Sequence, residues 1–180
     1  MRALLEVQDS PLAGVKVITP QIFEDFRGEN LELYHTDSYK EHGIDLDFVQ
    51  DNLSVSTKNV LRGIHGDAVT WKLVSCLYGK IYLLVVNCDE DSAHFGKWTS
   101  FTLSDRNRKQ VLIPPKFGNG HLVLSEKALF HYKLSSYYDG DSQFSIRYDD
   151  KRFNFWWPVK DPLLSRRDEE ADTAFTGKTN

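Results

Sequence analysis

Lys72-Leu73-Val74-Ser75-Cys76-Leu77, a Tyr78-Gly79 turn, and Ile81-Tyr82-Leu83-Leu84-Val85-Val86-Asn87 form the stretch whose reading decides the fold. Two apolar runs of strand length closed by turn residues read as successive β-strands. The pattern repeats outward. Gly14–Thr19 (stopped by Pro20), Leu31–Tyr34 and Phe48-Val49 come before it; Phe101–Leu103, Val111–Ile113, His121–Leu124, Ala128–Leu134 and Phe144–Tyr148 come after. Many short strands with turn signals between them predict an all-β sandwich or barrel. A helical period is scarce. Asp37–Gly43 reads as one short helix capped by Asp37 and ended by Gly43, and 162–180 as a short helix or turn and then a loose tail.

Strand alternation places Ala128, Phe130, Tyr132 and Leu134 on one face and Leu129, His131 and Lys133 on the other. Lys72, Val74 and Cys76 line up in the same way. Polar residues on an inward face are either satisfied core groups or site residues.

The chain of 180 residues has the length of one domain, 1–180, with 41% apolar and 27% charged residues, as in an ordinary globule. A formal charge of −4 argues against a nucleic-acid partner, whose footprint is a basic stripe. Cys76 and Cys88 sit in apolar runs and read as buried free thiols rather than a disulfide framework. The start, Met1-Arg2-Ala3-Leu4-Leu5-Glu6, lacks the apolar core of a signal peptide, and no run approaches the about 20 residues of a membrane span. The expectation is a cytoplasmic protein without a membrane partner.

Val60-Leu61-Arg62-Gly63-Ile64-His65 brings a cation and a histidine together around a glycine turn, and seven residues on Lys72 interrupts an apolar strand. That lysine either snorkels to the edge or points into a polar cavity. Taken alone, His65 reads more readily as a hydrogen-bonded structural histidine than as a catalyst. Tyr132 reads as packing, Asp168 as a surface charge or cap, and Arg27 as an exposed cation. Residues alone therefore stop at a β-barrel with a candidate His/Lys/Tyr site. A metal would need a second histidine two residues after His65, where Asp67 stands, and Lys72 would repel it. No metal and no other cofactor is expected.

Read together, ordered segments resemble the dTDP-4-dehydrorhamnose 3,5-epimerase family of the cupin superfamily. They are Phe23-Glu24-Asp25-Phe26-Arg27-Gly28, Phe48-Val49-Gln50-Asp51-Asn52-Leu53-Ser54 and Val60-Leu61-Arg62-Gly63-Ile64-His65. Lys72-Leu73-Val74, Phe95-Gly96-Lys97-Trp98, Ile113-Pro114-Pro115-Lys116-Phe117-Gly118 and Leu124-Ser125-Glu126 follow. Tyr132-Lys133 and Trp157-Pro158 through Leu164-Ser165-Arg166-Arg167-Asp168 complete a set that covers residues 15–170. Each is weak; their order is the signal.

The resemblance implies a cupin-type jelly-roll barrel with one or two short helices and a C-terminal tail. It implies epimerisation at C3 and C5 of a nucleotide-linked 4-keto-6-deoxy sugar, in deoxysugar or surface-polysaccharide synthesis. Such protons are acidic because their loss leaves an enolate. By this resemblance His65 is the base, a neutral imidazole being suited to take a proton. Asp168 orients it, Lys72 faces the enolate oxygen, and Tyr132 returns a proton to the opposite face. Arg27 and Arg62 match diphosphate clamps. Glu32, Gln50, Asn52 and Tyr138 match substrate positions, as do Asn119 and His121 in the Lys116–His121 segment. A homodimer that shares residues between sites is implied.

Three departures stand out. Asn119 replaces the family's histidine, Leu83 replaces an aspartate, and the usual Leu-His-Phe-Gln reads Ile64-His65-Gly66-Asp67, which would open space beside the base. The Arg62–Asp67 and Phe117–His121 spellings are similar to a branch acting on GDP-linked 4-keto-6-deoxy-heptoses in capsule pathways, where Gly66 would admit a longer sugar arm. The competing readings are a C3-only epimerase, a 3,4-ketoisomerase, and a cupin that binds a sugar nucleotide without turnover.

Overall fold

The computed structural model describes residues 4–171. Its elements are β1 (Leu5–Asp9), β2 (Lys16–Pro20), β3 (Ile22–Asp25), β4 (Gly28–Leu31), α1 (Thr36–Glu41), β5 (Gln50–Thr57) and β6 (Leu61–Gly66). Then follow β7 (Lys72–Tyr78), β8 (Lys80–Asn87), β9 (Trp98–Ser104), β10 (Gln110–Ile113), β11 (Phe117–Val123), β12 (Lys127–Leu134), β13 (Phe144–Ser145) and α2 (Arg166–Glu169). One sheet runs β1-β2-β10-β7-β12-β5, a second β13-β6-β11-β8-β9, and β3-β4 stands apart as a hairpin. This is the expected all-β jelly-roll architecture with two short helices.

The Tyr78-Gly79 turn is a corner, since β7 and β8 lie in different sheets. Gly79 has φ +79°, and a Cβ there would sit 2.1 Å from the Lys127 carbonyl oxygen. Only glycine lets the chain cross from one sheet to the other here. Val74 and Cys76 of β7 then meet Ile81, Leu83 and Val85 of β8 in the core between the sheets. The alternate residues of β8, Tyr82, Leu84 and Val86, pack outward under Phe153, Trp98, Phe155 and Trp157. Burial on both faces is why this strand reads as a continuous apolar run. Leu73, Ile18 and Leu112 pack likewise against Tyr39 of α1.

The observed strands differ from the expected ones in several places. β5 runs from Gln50, beyond the Phe48-Val49 signal, because Gln50, Asn52 and Ser54 line a cavity while Leu53 and Val55 face outward, 54% and 50% exposed. β6 is likewise a strand, so Gly63 is no turn: its φ is +121° and a Cβ would lie 2.5 Å from Gly120 Cα. The close approach lets β6 pair with β11. The predicted strand at Leu31–Tyr34 is the end of a hairpin turned by Gly28, and Phe144–Tyr148 contributes only two strand residues. The first helix begins at Thr36, its cap being His35, whose ring accepts from the Ser38 N–H at 3.4 Å, rather than Asp37. Gly43, at φ +78°, follows the helix end as expected. α2 meets the expected short C-terminal helix; the tail expected beyond it, residues 172–180, lies outside the described residues. Cys76 and Cys88 are buried free thiols, which burial pushes up to about 11 and about 12.

Candidate active site

A cavity of about 570 Å³ opens between the two large sheets, walled by β5, β7 and β12 on one side and β6 and β11 on the other. His65, Lys72, Tyr132 and Asp168 all line it, with Gln50, Asn52, Arg62, Asn119, His121 and Tyr138. Ten of the twelve predicted site residues therefore meet in one place.

His65 Nε2 lies 2.7 Å from Asp168 Oδ1. Asp168 is buried, 3% exposed, and sits in the first turn of α2, where the Ser165 hydroxyl donates to its Oδ2 at 2.8 Å. Burial raises its pKa, but hydrogen bonds from His65, Ser165 and the Gly63 N–H outweigh that and hold it below the ordinary carboxylate value. The carboxylate therefore accepts from Nε2–H, leaving Nδ1 of neutral His65 as the basic nitrogen.

Lys72 projects inward from β7, next to Val74, so the cavity alternative holds over the snorkelling one. Its Nζ is 3.4 Å from the His65 carbonyl oxygen and from Asn119 Oδ1. Burial lowers its pKa, opposed by the Asp67 carboxylate and assisted by Arg167. Tyr132 sits on β12, opposite Val74 and Asn52, with its ring 5.5 Å from that of Phe130. The site thus has an imidazole on one wall, a phenol on the other and an ammonium reaching across.

Gln50 donates to Asn52 Oδ1 at 3.1 Å and accepts from the Tyr138 N–H at 2.9 Å, which fixes three predicted residues relative to one another. Arg62 Nε donates to Ser56 Oγ at 3.0 Å. Asn119 stands across from His65, and His121 across from Arg62, with a bulge between them. The His121 ring stacks on Phe130 at 4.0 Å. Leu83, opposite His121, belongs to the core.

Two predicted residues lie elsewhere. Arg27 is exposed on the β3–β4 hairpin and pairs with Asp25, its Nε 3.1 Å from the carboxylate. Glu32 borders a small separate hollow with Pro20 and Tyr39. Neither residue lines the large cavity within one chain. Gly66 also departs from expectation. A Cβ there would meet Phe144 Cζ at 2.3 Å and the Phe117 carbonyl oxygen at 2.4 Å. An aromatic ring from β13 fills the space, so Gly66 makes no room for a ligand.

Sequence reasoning passed over Asp67, Gln143 and Arg167 as site residues. Asp67 Oδ1 accepts from the Val69 and Thr70 N–H groups at 2.9 and 2.6 Å, and Gln143 donates to Oδ2 at 2.7 Å. Burial raises its pKa, but the bonds from Val69 and Thr70, with Lys72 nearby, hold it below the ordinary value. Arg167 bonds the Tyr138 hydroxyl at 3.3 Å. Its place just before Asp168 was the available signal. Among the described residues no group of three or more His, Cys, Asp or Glu stands close enough to hold a metal ion, and no helix is long and apolar enough to cross a membrane.

A family model described as dTDP-4-dehydrorhamnose 3,5-epimerase matches residues 9–174. The chain is 38% identical over 175 residues to the dTDP-4-dehydrorhamnose 3,5-epimerase of Escherichia coli (strain K12), covering 94% of each. Its fold matches a dTDP-6-deoxy-D-glucose-3,5-epimerase from Legionella pneumophila, solved with dTDP-4-keto-L-rhamnose, at TM-score 0.89 and 38% identity, covering 93% of this chain and 92% of that one. A 3′-monoepimerase from Streptomyces bikiniensis, solved with dTDP-quinovose, matches at TM-score 0.84 and 30% identity over 89% and 85% of the chains. The chain belongs to the dTDP-4-dehydrorhamnose 3,5-epimerase family, a family of sugar-nucleotide isomerases.

Proposed function

We propose that this protein epimerises a nucleotide-linked 4-keto-6-deoxy sugar at C3, C5 or both. The observation that carries the reading is the placement of His65, held by Asp168, and Tyr132 on opposite walls of one cavity, with Lys72 Nζ reaching between the sheets. His65 Nδ1 takes the proton beside the C4 carbonyl. The electron pair moves onto the carbonyl oxygen, where the Lys72 ammonium stabilises it. Tyr132 then delivers a proton to the other face and the configuration inverts. Asp168 steadies the imidazolium in the interval.

Arg62 binds the diphosphate, while Gln50, Asn52, Asn119, His121 and Tyr138 hold the sugar and base. Asn119 keeps a polar contact to Lys72 where the family has histidine, which supports turnover over mere binding. Arg27 and Glu32 reach the corresponding cavity of a second copy in a homodimer. The detached hairpin, with Phe26 98% exposed, and the outward Leu53 and Val55 of edge strand β5 supply apolar surface for that contact. The protein works in the cytoplasm, where nucleotide sugars are made. With Gly66 filled by Phe144, a longer heptose arm finds no support at that point, and the matched relatives are named for dTDP sugars.

The test is incubation with dTDP- and GDP-linked 4-keto-6-deoxy sugars in D₂O. Deuterium at C3 or C5 is expected, and its absence with every sugar would sink the proposal. One exchanging position identifies a single-site epimerase, two a 3,5-epimerase, and a 3-keto product a ketoisomerase.

A further inference from the structure

Among the described residues, two buried side-chain polar atoms have no hydrogen-bond partner, Ser54 Oγ and His121 Nε2. Both residues line the same cavity, with these two atoms sealed from water beneath its surface, so a ligand meets them by turning the Ser54 hydroxyl or the His121 ring outward. They flank Phe130: the His121 ring stacks on it at 4.0 Å, and Ser54 stands directly opposite it on β5. Burying a polar atom unpaired is costly, and native proteins rarely do it without a purpose.

Their position along the cavity identifies what they meet. On the six-stranded wall the inward residues fall in successive rows: Lys72 with Leu134, then Val74, Tyr132 and Asn52, then Cys76, Phe130 and Ser54, then Ala128 and Ser56. On the facing wall Asn119 and His65 are paired, followed by His121 and Arg62, which bonds back to Ser56. A pyranose with its C4 oxygen at Lys72 and its C3–C5 edge between His65 and Tyr132 points C1 away from Lys72. Its diphosphate then leaves toward Arg62. The edge carrying C1, C2 and the ring oxygen lies beside Ser54 and His121, and the hydroxyl on that edge is the one at C2.

We infer that Ser54 and His121 hold the C2 hydroxyl of the substrate sugar and make the enzyme select sugars that carry it over their 2-deoxy counterparts. The inference rests on the reaction proposed above, which sets the carbonyl at Lys72. Charge agrees with it. Burial, with Arg62 and His65 nearby, lowers the His121 pKa to about 3, so the ring is neutral at working pH. A neutral imidazole offers one N–H and one lone pair, which match the acceptor and the donor of a hydroxyl.

The test compares kcat/KM, by deuterium exchange and product formation, for a 4-keto-6-deoxy nucleotide sugar and its 2-deoxy counterpart, using wild type, S54A and H121F. H121F keeps an aromatic ring against Phe130, and S54A removes a single oxygen, so either variant decides if the other fails to fold. The wild type is expected to prefer the 2-hydroxy sugar by about tenfold or more, and each variant to shrink that preference at least about threefold. A preference unchanged in both variants, or absent from the wild type, overturns the inference while leaving the epimerase reading intact. No exchange by the wild type with any 2-hydroxy sugar overturns the reaction itself.

Discussion

His65 Nε2 is 2.7 Å from Asp168 Oδ1, although 103 residues separate the two in the chain. The contact joins the end of β6 to the first turn of α2, so the C-terminal segment completes the site. D168N is expected to lower exchange about 100-fold or more, because an amide no longer fixes the tautomer or steadies the imidazolium. Nucleotide binding by calorimetry should change little. Wild-type exchange in D168N would remove Asp168 from the mechanism.

Lys72 is a site residue held at the expense of stability. It is 9% exposed, and among the described residues its Nζ makes two long hydrogen bonds, at 3.4 Å. K72M should therefore melt higher, by about 2–4 °C for about 1 kcal/mol in a chain of this size. Exchange should fall about 10²–10³-fold. A lower melting temperature would mean that the ammonium is structurally satisfied.

The local reading of the chain was most accurate where apolar residues dominate a strand, and least accurate where the inward residues are polar or glycines interrupt the run. β7, β8 and β12 stand where Lys72–Leu77, Ile81–Asn87 and Ala128–Leu134 placed them. β5 is unread as a strand because its inward residues are Gln50, Asn52 and Ser54, the inverse of core patterning, and β6 because Gly63 and Gly66 interrupt its apolar residues and suggest a turn. The proposed catalytic set was legible through the ordered family segments, not through any residue alone. Gly66 was misread because the neighbour that fills its space, Phe144, lies far along the chain. Arg27 and Glu32 were assigned by resemblance to positions that a single chain does not bring to the cavity.

G66A should cost about 1–3 kcal/mol in urea unfolding, since its methyl would strike Phe144 and the Phe117 carbonyl. F144A placed in the same chain should recover part of that loss as a coupling energy. A neutral G66A would show that the space beside the base is open.

His121 makes stability depend on pH. Its folded pKa, about 3, lies below its ordinary value of 6.5, so between these values the unfolded chain binds more protons than the native one. Its contribution is full above about pH 6.5 and is lost as pH falls toward 3, by at most about 1.4 kcal/mol per pH unit. H121F should flatten the stability profile between pH 4 and 6, on the order of 1 kcal/mol per unit. Identical slopes in wild type and H121F would place the ring in contact with water.

The central claim is that two residues on opposite walls serve opposite faces of one ring, and the isotopic fate of substrate in Y132F tests it most directly. His65 should still remove and return a proton on its own face, so deuterium enters with configuration retained. H65A should show neither exchange nor inversion. Inversion by Y132F at the wild-type rate, or exchange by H65A, would contradict the two-faced arrangement.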